Sequence, residues 1–346
     1  MRTIDWDNNR NCIVMIDQTR LPSEYRQISI TTVDGLITAI RELKVRGAPA
    51  LGAAGAYGVA LSAYQNNQKS FDEYKRAVES DAQAIANARP TAVNLEREVN
   101  QVLRKIQSLE NKDAIRQQAK DTAQSIADQD VKRNKRIGEH GCTLLDDGDT
   151  VLTHCNAGAL ATVDWGTALG IVYSAKQRRI NLDVIATETR PLNQGARITT
   201  TELQQREINT KLIPDSAVGH FMQQGEIDAV IVGADRIVLD GGEAFDGQAV
   251  VFNKIGTYPI AVLANQHNIP VIVAAPTSTV DTEQTAGDVE IEQRDPDEIR
   301  RCHGEQNAPE DISVGNPAFD ATPAKLVDWI VTESGRYEPP LEMDIN

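Results

Sequence analysis

The sequence predicts an α/β protein in two parts: a mainly helical N-terminal domain, residues 1–125, and an α/β domain, residues 126–346, built on a parallel sheet wrapped by helices. Its 346 residues exceed one ordinary core, at roughly 100 to 200 residues per domain. With 40% hydrophobic and 25% charged residues, the composition supports a sizeable buried core. Near residue 149 long helical periodicity gives way to short apolar runs alternating with helical segments.

From about residue 31 to 127, the alanine-rich, charge-laced stretches TTVDGLITAIRELK and SFDEYKRAVESDAQAIANA read as helices. Between them, VRGAPALGAAGAYGVALSAY places Pro49 in the first turn of a helix whose Ala and Gly residues permit close packing. The boundary near 125 falls inside a helical segment that runs to about 147. Then TVLTH, ALATVDWGTALGIVYSAK, LDVIATET, ARITTTELQQREI, KLIPDS, AVGHFMQQG, DAVIVGADRIV, NKIGTYPIAVLANQHN and PVIVAAP follow as a βαβ series, the rhythm of a parallel sheet.

The formal charge of −15 opposes non-specific binding to nucleic acid or to an anionic membrane, both of which need basic patches. The acidic balance suits a salt-rich cytosol and equally an ordinary acidic enzyme. Cys12, Cys142, Cys155 and Cys302 are scattered, with neither zinc-site spacing nor a disulfide framework. No basic segment leads into an apolar run at the start, and no stretch approaches the ~20 apolar residues that cross a bilayer, so the expected location is the cytoplasm.

Unusual residues cluster just after the predicted strands: His154-Cys155-Asn156 after TVL, the RPLNQG loop after LDVIATET, Asp215 after KLIP and Gly233-Ala234-Asp235 after DAVIV. Open parallel sheets bind ligands outside the carboxyl ends of their strands, so separate loops would deliver these groups to one crevice. Cys155 is expected near a helix N-terminus that favours thiolate, or else as a small core hydrophobe. Asp235, next to a buried strand, is expected to be desolvated and to serve as an acid, or else to cap a turn or pair with Arg236. Arg46 with the backbone of Gly47 and Ala48 precedes the Pro49 helix as a phosphate site would; a surface arginine is the alternative. Arg89, Gln194 on its glycine-hinged loop, and Asn253-Lys254 at the start of a helix are further candidates for sugar hydroxyls or phosphate, against caps or surface residues. There is no GxGxxG after a strand, no Walker loop, no GxSxG elbow and no HExxH.

Taken together, IDQTRLPSEY, VRGAPALGAAGAYG, RPTAVNL, LTHCNAGALAT, TETRPLNQGARITTTEL, VGADRI, NKIGTY, VAAPTSTVD, RDPDE and NPAFDATP, in order from residue 16 to 323, resemble the methylthioribose-1-phosphate isomerases. That superfamily also holds ribose-1,5-bisphosphate isomerase and the regulatory subunits of the exchange factor for translation initiation factor two. The resemblance implies a Rossmann-like C-terminal domain, a homodimer, no metal or nucleotide cofactor, and a sugar 1-phosphate substrate in methionine salvage. It makes Cys155 and Asp235 catalytic, and Arg46, Gly47, Ala48, Arg89, Gln194, Asn253 and Lys254 substrate contacts. The alternatives are the bisphosphate isomerase and a non-catalytic regulatory subunit.

A phosphorylated anomeric oxygen prevents spontaneous ring opening, so an acid must protonate the ring oxygen, a role that falls to Asp235. Hydrogen then moves from C2 to C1, through an enediol with Cys155 as base or by direct hydride shift. The stretch VLDGGEAFDGQAVVF is an apparent insertion of about eight residues relative to the family, at a loop-tolerant place. Its acids Asp240, Glu243 and Asp246, with Phe245 and several aliphatics, are expected to disfavour a second phosphate on C5 and to present an apolar surface there.

Overall fold

The computed structural model describes residues 2–67, 69–89, 92–302 and 304–339. The chain divides into two compact units, Met1–Asn134 with Ala157–Gly166, and Lys135–Asn156 with Thr167–Asn346. The boundary expected near 125 and this division lie in the same helix. A single cut does not express the return of Ala157–Gly166 to the first unit.

The first unit opens with a three-stranded antiparallel sheet, β1 (Ile4–Asp7), β2 (Cys12–Ile16) and β3 (Gln27–Ile30), where the sequence reading named no element. Helices α1 (Val33–Arg41), α2 (Ala48–Gln65), α3 (Phe71–Ala86), α4 (Val93–Ile106) and α5 (Lys112–Gly141) follow, α5 running through the division. Every residue of α2 from Ala50 to Ala63 is buried, which explains a helix apolar on all sides. Its glycines let α4 approach: a Cβ at Gly55 would lie 2.9 Å from side-chain atoms of Leu95 and Val99. The 157–166 segment is tied into this unit by Thr3, which donates through its backbone N–H to the Val163 carbonyl (2.8 Å), and by Gln18 Nε2, which donates to the Leu160 carbonyl (2.7 Å). Buried Asp130 accepts from the Val163 N–H (2.8 Å) and from Asn134 Nδ2 (3.1 Å). Burial pushes its carboxyl up to about 6, against these hydrogen bonds and the nearby Arg133.

The second unit carries β4 (Thr150–Thr153), α6 (Ala168–Gln177), β5 (Asp183–Thr187), α7 (Thr200–Gln205, led in by a π-helical turn at Gly195–Thr199), β6 (Thr210–Ile213), α8 (Val218–Gln223) and β7 (Ala229–Val232). Next come β8 (Arg236–Asp240), β9 (Val250–Lys254), α9 (Thr257–Gln266), β10 (Val271–Ala274), β11 (Val280–Thr285) and the short α10 (Asp297–Arg300). The unit ends with β12 (Arg301–Cys302), β13 (Glu305–Gln306), β14 (Phe319–Pro323), β15 (Trp329–Val331) and β16 (Arg336–Tyr337).

Its main sheet has the order β16-β15-β10-β7-β4-β5-β6, parallel throughout except for β16 at one edge. Strands β7 (AVIV) and β10 (VIVA) are buried at every residue, as parallel strands covered on both faces must be. This is the α/β, Rossmann-like architecture expected. From β4 the chain order grows outward through β5 and β6 on one side and through β7, β10 and β15 on the other. The order therefore reverses between β4 and β7, the switch point where such sheets open a crevice.

The apparent insertion is no loose loop. It is the β8–β9 hairpin within a second sheet of order β11-β8-β9-β14. Val238, Val250 and Phe252 are buried there with Ala286, and Phe245 packs against them. The apolar residues expected to face a substrate are thus committed to a local core, whereas Asp240, Glu243 and Asp246 are exposed. A second correction concerns Asn253 and Lys254. They end strand β9, and Gly256, at φ +105°, separates them from α9.

Candidate active site at the exits of the parallel strands

Four strand exits supply the polar groups of the second unit. β4 runs through Val151 and Leu152, paired with Ala229 and Val230 of β7, so the two strands deliver Cys155 and Asp235 at the same edge, on either side of the switch point. Cys155 is half-buried, at φ +67°. A left-handed conformation costs a residue with a Cβ on the order of 1 kcal/mol, so its neighbours must hold it. They do so at both backbone groups. The Cys155 N–H donates to Thr189 Oγ1 (2.8 Å), and its carbonyl accepts from Thr199 Oγ1 (2.6 Å). At the thiol, Gln194 Nε2 donates to Sγ at 3.4 Å.

The helix expected directly after Cys155 is absent. Only a three-residue 3-10 turn, Ala159–Ala161, precedes α6, which starts at Ala168. What stands against the thiol is instead the amide of Gln194, at the head of the π-helical turn that leads into α7. Gln194 is 5% exposed, and its Oε1 has no hydrogen-bond partner among the described residues. A buried acceptor left open is costly unless a donor arrives.

Thr189 is itself fixed from β6. Asp215 accepts from the backbone N–H of Thr189 through Oδ1 and from that of Arg190 through Oδ2, both at 2.7 Å. Asn156 donates to Glu202 Oε1 (2.9 Å), whose Oε2 accepts from Tyr173 OH (3.0 Å), so the residue after the cysteine is pinned to α7 and α6. The sequence reading passed over Thr187, Thr189, Thr199 and Glu202. Their only signal was that TETRP and ITTTEL lie directly after a strand.

On the other side of the switch point, Asp235 donates its backbone N–H to the Phe252 carbonyl (2.9 Å). Its side chain is exposed, which corrects the expectation that the apolar strand before it would desolvate the carboxyl. Arg236 pairs with Asp281 at 3.1 Å. Buried Asn253 donates to Thr257 Oγ1 (2.9 Å). Lys254 donates to the Ala318 carbonyl (2.8 Å) and lies 4.9 Å from the centre of the Phe319 ring. The turn between them and α9 is clamped by Asp320 of β14, which accepts from the N–H groups of Gly256 (2.7 Å) and Tyr258 (3.1 Å). Burial pushes the Asp320 carboxyl up to about 6 in spite of those bonds.

Arg46, Gly47, Ala48 and Arg89 belong to the first unit. Gly47 adopts φ +88°, and a Cβ there would sit 2.1 Å from the Ala161 carbonyl oxygen, so only glycine allows the turn into α2 to meet the 157–166 segment. Arg46 is half-buried, and Arg89, also half-buried, precedes residues outside the described ones. Among the described residues no group of three or more His, Cys, Asp or Glu side chains is placed to hold a metal ion, and no helix is long and apolar enough to cross a membrane.

This chain is similar to proteins with two kinds of name. It is 50% identical over 344 residues to a putative methylthioribose-1-phosphate isomerase of Methanosarcina acetivorans, covering 99% of this chain and 96% of that protein. It is 43% identical to the methylthioribose-1-phosphate isomerase of Thermosipho africanus, covering 99% and 96%. Among solved structures, the 5-methylthioribose 1-phosphate isomerase of Pyrococcus horikoshii superposes with a TM-score of 0.91 at 41% identity, over 98% of this chain and 93% of that one. The crystal structure of the translation initiation factor eIF-2B, subunit delta, from A. fulgidus superposes with a TM-score of 0.90 at 48% identity, over 98% and 96%. The model of the initiation factor 2 subunit family matches residues 44–339, a span that takes in every strand exit described above, and the chain belongs to that family.

Proposed function

We propose that this chain is an aldose–ketose isomerase that converts 5-methylthioribose 1-phosphate to 5-methylthioribulose 1-phosphate, with Cys155 and Asp235 as its catalytic residues. The observation that carries the reading is the placement of these two groups at the exits of adjacent parallel strands β4 and β7, on either side of the switch point. The names of the relatives in Methanosarcina, Thermosipho and Pyrococcus support it.

In this reading Asp235 gives its proton to the ring oxygen as the bond from C1 to that oxygen breaks. The carboxyl is exposed in the chain, and bound substrate would displace water from it. Hydrogen then leaves C2 and arrives at C1 while the C2 hydroxyl becomes a carbonyl and gives its proton back to the Asp235 carboxylate, with no net oxidation. Cys155 takes the C2 proton as thiolate in the enediol route and forms a wall of the site in the hydride route. The open Oε1 of Gln194 accepts from a substrate hydroxyl while its Nε2 holds the thiol. Arg46, the Gly47 and Ala48 backbone, Arg89, Asn253 and Lys254 stay as proposed substrate contacts. We read the partners as a sugar 1-phosphate and a second copy of the chain, and the location as cytoplasmic.

A regulatory subunit is the second reading, favoured by the name of the A. fulgidus structure. Ribose 1,5-bisphosphate is the competing substrate. With the hydrophobic side chains of the β8–β9 hairpin buried, preference against a second phosphate rests on the exposed acids Asp240, Glu243 and Asp246 alone. Turnover of both sugar phosphates by the purified protein tests all three readings. Higher kcat/KM for the methylthio sugar is expected, a bisphosphate preference reassigns the substrate, and binding without turnover of either moves the chain to the regulators.

A further inference from the structure

His154 precedes the proposed catalytic cysteine and is 2% exposed, so both its ring nitrogens depend on protein partners. Nε2 lies 2.9 Å from the Ile255 carbonyl oxygen, and Nδ1 lies 2.7 Å from Thr187 Oγ1. A carbonyl only accepts, so Nε2 carries a hydrogen. Burial lowers the proton affinity of the imidazole, which leaves the ring neutral and Nδ1 an acceptor. The Thr187 hydroxyl must then spend its one hydrogen on His154 Nδ1.

The rest of the order follows from counting hydrogens. Thr187 Oγ1 and Thr189 Oγ1 are 3.1 Å apart. With the Thr187 hydrogen committed, Thr189 donates across that gap, the shorter of its two contacts, the other being the Thr187 carbonyl at 3.4 Å, and Thr189 Oγ1 in turn accepts the Cys155 N–H at 2.8 Å. All donors therefore point one way, from Cys155 through Thr189 and Thr187 to His154 and on to Ile255. Both ends of this chain are anchored. Asp215 grips the backbone of Thr189 and Arg190, and Asp320 grips the turn after Ile255 through the Gly256 N–H. At Gly256 a Cβ would come within 2.9 Å of His154 Nε2, so the glycine admits the imidazole to the turn.

We infer that His154, Thr187 and Thr189 form a one-way hydrogen-bond chain that holds Cys155 in its left-handed turn with the thiol against Gln194, and that the three are positioning residues for the site. The chemical consequence rests on the function proposed above, because positioning the thiol affects turnover only if the thiol takes part. The geometric claim stands apart from it. Thr189 controls where the cysteine backbone lies, and hence how Cys155 reacts with any small electrophile.

Two measurements test this. Nitrogen-15 NMR of His154 in the wild-type protein at neutral pH should show the neutral ring with its hydrogen on Nε2. A hydrogen on Nδ1 overturns the chain without any variant having to fold. In Thr189→Val the rate of Cys155 alkylation by iodoacetamide, followed on the cysteine's own peptide by mass spectrometry, should change by about tenfold or more. In the same variant kcat should fall by about tenfold or more, the scale of a misplaced reacting group, with KM within about threefold. Thr189→Ser, which keeps the hydroxyl, should recover most of both. Wild-type alkylation and kcat in Thr189→Val would overturn the inference. If alkylation shifts in Thr189→Val but Cys155→Ser still turns over substrate, the chain stands and the catalytic role of the cysteine fails. If Cys155→Ser is inactive and Thr189→Val behaves as wild type, the reverse holds.

Discussion

Gly195 is the position where the packing behind the thiol is least tolerant. It follows Gln194 and opens the π-helical turn, and a Cβ there would lie 1.9 Å from the Thr187 carbonyl oxygen and 2.8 Å from Thr189 Oγ1. A carbon-to-oxygen contact normally settles near ~3.3 Å, so Gly195→Ala must push the two segments apart by on the order of 1 Å. Overpacking of that kind costs about 1–3 kcal/mol. For a chain of this size the melting temperature should drop by several degrees, at roughly 2–4 °C per kcal/mol. Gln194 moves with the turn, so its 3.4 Å bond to Cys155 Sγ is lost. A displacement of about 1 Å at a reacting group lowers kcat on the order of a hundredfold. The matched control is Gly315→Ala, where an added Cβ meets nothing within 4 Å. Thermal denaturation and turnover of 5-methylthioribose 1-phosphate should separate the two variants, with Gly315→Ala within about 0.5 kcal/mol of wild type. Wild-type melting and kcat in Gly195→Ala would refute the reasoning, and equal losses in both variants would reduce it to a general effect of removing glycine.

Cys155→Ser and Asp235→Asn should each lower kcat by about a hundredfold or more while melting as wild type does; near-normal turnover in either removes that residue from the reaction. Arg46→Ala should raise KM more than it lowers kcat, because a phosphate contact is made in ground and transition states alike, and sulfate should inhibit the variant less than the wild type. Carrying out the reaction in deuterium oxide separates the routes: solvent deuterium in the product supports Cys155 as base, and complete retention of the C2 hydrogen supports the hydride shift. For Asp130 the pKa is raised from 3.8 to about 6, so between these values the folded state holds a proton that the unfolded state has released. Its contribution to stability is therefore lost as pH rises from about 4 to 6 and is level above. Asp130→Asn should gain on the wild type by about 3 kcal/mol over that window in denaturant titrations, and a gap that is constant or shrinks with pH would contradict the burial argument.

The parts of the fold that were legible share one property: they repeat within a short window. Runs such as LDVIATET and DAVIV announce β5 and β7 locally, and the gathering of odd residues after them pointed to strand exits before any strand order was known. Pairing order is not local. Nothing in the residues of β4 says that β7 lies beside it, and the switch point exists only once that neighbour is assigned. The β8–β9 hairpin read as an insertion relative to the family, and its sheet was not legible because its partners β11 and β14 come later in the chain. Asp320 illustrates the same limit. It clamps Gly256 from 64 positions away, inside a string that matched the family but had no chemistry of its own to read. Asp235 shows the opposite error, in which a correct local inference of an apolar strand was carried three residues past the strand's end at Val232, to an exposed position.

The fold alone does not choose between isomerase and regulator, since structures bearing either kind of name superpose almost equally well. The choice has to come from what the side chains are arranged to do, and what stands out is cost. Cys155 keeps a backbone conformation unfavourable to a residue with a Cβ, and two hydroxyls and a carboxylate, from the loop after β5, the π-helical turn before α7 and the segment after β6, are committed to sustaining it. Gln194 buries an acceptor with no partner beside the same thiol. Beside a thiol, that strain and that open acceptor are what the proposed isomerase site would use. In the proposed function, a substrate hydroxyl on Gln194 Oε1 would place a sugar carbon beside Cys155, whose thiol Gln194 Nε2 already holds, and turnover of the sugar 1-phosphate by the purified protein decides whether the site is used that way.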